Sequence, residues 1–164
     1  MLRGHADDRR NAGWWRALAW ALAALAGLAS GFVASLLSPL IACFCCGPFG
    51  GVLSGAAACA APPGASRSEA SRVSALGGLA YGVGAWIGLA LAIALGLATG
   101  AVQQAQREFL RRLGGEASPE TETAGLAIGI ALVLCLGAVG LLLISAAGGW
   151  LGGKAVQALR GREF

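Results

Sequence analysis

Five cysteines are the first residues to weigh for chemistry. Cys43, Cys45, Cys46, Cys59 and Cys135 all fall in apolar stretches, three of them inside "CFCC" at 43–46. Cys43 and Cys46 form a C-x-x-C, the spacing that pairs thiolates around zinc or an iron–sulfur cluster. Such a centre needs further thiolates or imidazoles, yet no His or acidic residue lies nearby and the single His is His5. A thiolate in an apolar medium is also costly, so no metal is expected. "LIAC" at 40–43 matches a second pattern, the bacterial lipobox, in which cleavage leaves a lipid on Cys43. Against it stand the long apolar run before it, the nearby Pro39, and a distance from the start beyond the ordinary signal segment of about 15–30 residues. Cys43 is therefore the lipidation candidate, Cys45 and Cys46 are candidates for a disulfide to another chain, and the simplest role of all five is that of small hydrophobes.

The other reactive residue types lack partners. Ser30, Ser54 and Ser145 have no base in sequence reach, and a lone helical Ser usually bonds the carbonyl one turn back. Ion-coupled transport needs ionisable groups within the membrane, and the long apolar runs contain none. Small multidrug exporters look for a carboxylate in their first helix, where this chain has only Ser30 and Ser35. Axial haem ligation has only His5 and Met1 to draw on. Tyr81, Trp86 and Thr99 give one run some polar character, suited to a quinone or lipid contact. The chain is expected to be no enzyme and to carry no cofactor.

The elements that position these residues are long and apolar. The chain has 164 residues, 57% hydrophobic and 12% charged, with a mean hydropathy of +0.71; soluble domains carry roughly a quarter charged residues. Fifty consecutive residues between Arg16 and Arg67 are uncharged, as are thirty-four between Arg72 and Arg107 and thirty-one between Glu122 and Lys154. A spanning helix needs about 20 apolar residues, so the first run suits two passes and the others one each. The fold class is an all-α integral membrane protein, four transmembrane helices in a tightly packed bundle, with spans near 14–37, 40–61, 73–101 and 124–147. The transmembrane domain covers 14–151, flanked by tails at 1–13 and 152–164.

Local signals mark the boundaries. Trp14, Trp15 and Trp20 suit a membrane interface. Ser38-Pro39 is the turn inside the longest run, and "APPG" ends the second span. Pro48 should kink that span by removing the bond to Phe44. Ser66 with Glu69 reads as a capping box. Val102, Ala105, Phe109 and Leu113 recur at helical spacing among Gln and Arg, an amphipathic extension stopped by Gly114-Gly115. Ser118, Pro119, Glu120 and Glu122 open the last helix. The N-terminus, the 62–72 loop and the C-terminus hold nine Arg/Lys, against three near 102–123 offset by four Glu. Both termini should thus face the cytoplasm across a plasma membrane. Eleven of twelve basic residues are Arg, a sign of a GC-rich, bacterial genome, and they are too scattered for nucleic acid.

One motif is pervasive: small residues every fourth position, lining one helix face. Gly27 and Gly31 lie on such a line in span one, Gly47, Gly51 and Gly55 in span two, and Gly84, Gly88, Ala92, Gly96 and Gly100 in span three. Gly125 and Gly129, then Gly148 and Gly152, make a weaker line in span four. In lipid, helices associate through close backbone approach, which small residues permit. This glycine-zipper pattern favours a packed bundle or a homo-oligomer.

The segments "CGPFGGVLSG", "APPGASRSEASR" and "GGLAYGVGAWIG" resemble, over about residues 40–100, a loose group of small uncharacterised prokaryotic multi-span membrane proteins. The resemblance implies an all-helical membrane fold and no site residues. The expected role is structural or accessory, through helix–helix packing in the lipid bilayer. The rival readings are an oligomeric, holin-like pore and a lipid- or quinone-contacting subunit of a larger membrane complex.

Overall fold

The computed structural model describes residues 4–37, 47–59, 67–112 and 119–160. Five helices account for nearly all of them: α1 (Gly4–Leu37), α2 (Gly47–Cys59), α3 (Arg67–Ala98), α4 (Ala101–Arg112) and α5 (Pro119–Arg160). The fold is all-helical among the described residues. Among the described residues, three stretches are long and apolar enough to cross a membrane: Trp14–Leu36, Ser71–Ala98 and Thr123–Leu159.

Close contacts fix the helix directions. Gly27 of α1 meets Tyr81 of α3 and Gly31 meets Ala85, so these two helices run parallel. Along α5 the partners on α3 fall in number as α5 rises, Gly82 with Leu141, Gly78 with Ser145 and Ser74 with Gly149, so this pair is antiparallel. Gly51 with Ser145 and Gly55 with Gly149 set α2 parallel to α5. The chain therefore alternates in direction through α1, α2, α3 and α5.

Bulky and small residues occupy the opposite places from those of a water-soluble protein. The core is built around Ala23, Tyr81, Ala85, Leu89 and Leu141, with Ala80, Trp86 and Ile93 packed on it, and it encloses Ser74 and Ser145, both 0% exposed. Large apolar side chains line the outside, among them Leu25 at 63% and Leu136 at 70% exposure. Such a distribution saves little free energy in water, where buried apolar area is the main driving term. It suits a surrounding medium that is itself apolar.

The expected second span, 40–61, is represented by α2 alone, 13 residues long or about 20 Å; residues 40–46 and 60–61 lie outside the described residues. Pro48 is the second described residue of α2, and the expected kink against Phe44 lies outside the described residues. Residues 102–112 of the expected 102–113 extension belong to a separate helix, α4; Leu113 lies outside the described residues. At the end of α3, Gly100 takes φ +75°, a left-handed conformation open to glycine, and its N–H bonds the Leu97 carbonyl at 3.2 Å. Finally, α5 continues past 147 to Arg160, so residues 152–160 are helix. The turns at Ser38-Pro39 and "APPG", the caps Ser66 and Ser118, and the Gly114-Gly115 stop lie outside the described residues.

Candidate functional site

The helices approach most closely along two glycine seams, and a cleft opens beside them. On the α1·α3 seam, a Cβ on Gly27 or Gly31 would overlap the carbonyl oxygens of Tyr81 and Ala85. A Cβ on Gly84 or Gly88 would overlap those of Ala24 and Leu28. Two small-xxx-small pairs thus face each other's backbone, the close approach that association in lipid needs. On the α2·α5 seam, Gly51 and Gly55 abut the carbonyls of Ser145 and Gly149, while Gly148 and Gly152 abut those of Pro48 and Val52.

The seams join where α2, α3 and α5 converge. A Cβ on Gly51 would stand 2.6 Å from the Ser145 carbonyl oxygen, and one on Gly78 would overlap that same oxygen from α3. One turn on, a Cβ on Gly149 would lie 2.5 Å from the Ser74 carbonyl. Ser74 donates its hydroxyl to the Ser71 carbonyl at 2.9 Å, which satisfies a polar group that is fully buried.

Not every residue on the small-residue lines lies on a seam. Ala92 is buried. Gly96 lies at the α3–α4 turn, where a Cβ would stand 2.7 Å from Val102 Cγ2, and Gly100 is the turn itself, with nothing within 4 Å. Gly47 opens α2, but its surroundings lie outside the described region, as do Cys43, Cys45 and Cys46. Gly125 comes no nearer than 4.0 Å to Gln106 Nε2, and Gly129 has no neighbour within 4 Å. Sequence reasoning missed Gly78 and Gly149. Each belongs to a Gly-Gly doublet, the one signal that could have found them.

The cleft, about 590 Å³, lies between α1 and α2 with α3 at its floor. Ala19, Ala23 and Ala26 form one wall, and Phe49, Leu53 and Ala57 the other. Ser30 and Tyr81 line one end of it, with their hydroxyl oxygens 2.6 Å apart, and the Ser30 hydroxyl also lies 3.0 Å from the Gly27 carbonyl. A Cβ on Gly50 would overlap the hydroxyl end of the Tyr81 ring, so this glycine lets that end of the ring reach α2. Ser54 bonds its own helix at the Gly51 carbonyl, 3.0 Å away.

The lining of the cleft, among the described residues, carries hydroxyls but neither a base nor a carboxylate. Among the described residues no cluster of His, Cys, Asp or Glu could hold a metal ion. Its size falls within the range of small-molecule sites. Elsewhere, the Trp86 indole N–H donates to the Leu134 carbonyl of α5 at 3.0 Å, and the Lys154 ammonium sits 3.7 Å over the Trp150 ring. No protein-family model, curated protein or solved structure matches this chain.

Proposed function

We propose that the chain is a non-enzymatic integral membrane protein of structural or accessory type, crossing the plasma membrane four times with both termini in the cytoplasm. The observation that supports this best is the pairing of glycine seams with a bulky apolar exterior. Backbone-to-backbone contact supplies helix association where no hydrophobic drive exists between helices, and the exterior Leu and Val side chains then face lipid. The fourth pass is the expected span 40–61, of which α2 is the described part.

The helix directions support the orientation. Parallel α1 and α3 bring Arg16 and Arg72 to one end, and antiparallel α5 brings Lys154 to the same end. Trp14, Trp15 and Trp150 sit beside these cations, as aromatic residues do at an interface. Arg107, Arg111 and Arg112 of α4 lie at the opposite end, where Arg112 pairs with Glu108 at 3.2 Å. The cleft favours one second reading, a subunit that contacts lipid or a quinone.

Two measurements test the proposal. The protein should stay in the membrane after alkaline carbonate washing, and a C-terminal reporter fusion should read cytoplasmic; release or a periplasmic reading overturns it. Gly88→Leu and Gly51→Leu should each lower the melting temperature in detergent or disrupt assembly. If both variants melt and assemble like the parent, the seams do not hold the helices.

A further inference from the structure

We infer that the cleft between α1 and α2 holds one acyl chain of an anionic membrane phospholipid, with the lipid phosphate at Arg16. The inference rests on the membrane reading above and adds a ligand to it. It starts from the pattern of α1. Arg16, Ala19, Ala23, Ala26 and Ser30 follow one another at steps of three and four, which places them along one face of the helix. The last four line the cleft. Arg16 stands one turn before its mouth and is half-buried.

Depth and charge agree with this occupant. From Ala19 to Ser30 the cleft runs about 16 Å along α1 at 1.5 Å per residue, from the level of the interfacial tryptophans into the bundle. The described lining carries no charge, and the paired Ser30 and Tyr81 hydroxyls lie at the end away from Arg16. A chain with an apolar tail and one anionic head matches that order: tail along the alanines, head at the cation. The helix register sets Arg72 of α3 and Lys154 of α5 at about the level of Arg16, so this end of the bundle is cationic and favours a phosphate. In hydrocarbon no water competes to fill a groove of this kind, and a lipid chain is the molecule at hand.

The test is native mass spectrometry of the detergent-extracted protein after incubation with equal amounts of palmitoyl-oleoyl phosphatidylglycerol and phosphatidylcholine. The parent should retain one phosphatidylglycerol in preference to phosphatidylcholine. Arg16→Gln should cut that retention about tenfold, the scale of one lost charge-assisted contact. Ala26→Trp should abolish it by filling the cleft, while Leu25→Trp, on the exposed side of α1, should leave it unchanged. Melting curves show which variants fold, and Ala19→Trp at the mouth replaces Ala26→Trp if that variant does not. Absence of retained lipid in the parent, or parental retention in either Arg16→Gln or the cleft-filling variant, overturns the inference. A protein that stays in carbonate-washed membranes yet fails this test leaves the membrane reading standing; one that washes off loses both.

Discussion

The two halves of α5 have similar composition and opposite surroundings. In the C-terminal half, Leu141, Ser145, Gly148, Gly149, Gly152 and Gly153 are buried, and Gly148, Gly149 and Gly152 each face a backbone carbonyl of α2 or α3. In the N-terminal half, Gly129 has nothing within 4 Å, and Ile128, Leu132 and Leu136 are exposed. The difference is in the number of partners. The C-terminal half packs against two helices, whereas the N-terminal half runs beside α3, which it meets through Trp86 with Leu134 and Leu89 with Gly137. A glycine becomes a contact only where a second backbone is available to approach it.

Substitution at the convergence point should give the largest effect. Gly149→Ala puts a methyl group 2.5 Å from the Ser74 carbonyl oxygen, and backbone on α3 cannot rotate away as a side chain can. The expected cost is about 2–3 kcal/mol, the scale of overpacking in a filled core, read as a large fall in detergent melting temperature. A variant that melts with the parent would show that the α2·α3·α5 convergence is looser than its geometry. Next in size is Trp86→Phe. It removes the indole bond to Leu134 but keeps an aromatic ring in place, and should cost about 1 kcal/mol. That loss should appear as faster amide exchange near Leu134 in the N-terminal half, with the C-terminal half unaffected. Equal acceleration in both halves would mean that α5 responds as one unit and would dissolve the comparison.

The seam residues on α1 and α3 were legible because small residues recur on successive turns between bulky ones, as at Gly27 with Gly31 and Gly84 with Gly88. The same pattern overran its helix at Gly100. A four-residue repeat records a face and carries no mark of where the helix stops, and here the stop depends on Gly100 adopting φ +75°. Gly148-Gly149 and Gly152-Gly153 failed in the other direction. Glycine doublets are poor helix formers in isolation, so they read as the end of a span, yet tertiary contact with α2 and α3 carries the helix through them to Arg160. The cleft was not legible at all. Ser30 and Tyr81 are 51 positions apart in sequence, and their meeting depends on the parallel register of α1 and α3, which pattern alone does not encode.

The smallest predicted effect reverses the sign of the first. Gly129→Ala adds a methyl group into open space in the middle of a continuous helix, so no neighbour resists it. Alanine restricts the unfolded chain more than glycine does, and the substitution should stabilise by about 0.5 kcal/mol. The measurement is the same detergent melting curve, with Gly149→Ala and Gly129→Ala run side by side. Opposite shifts would mean that contact, and not glycine content, decides what each position does. A destabilising Gly129→Ala would mean that this face is covered in the assembled protein, and the N-terminal half of α5 would then be the contact through which a second copy or a partner subunit joins.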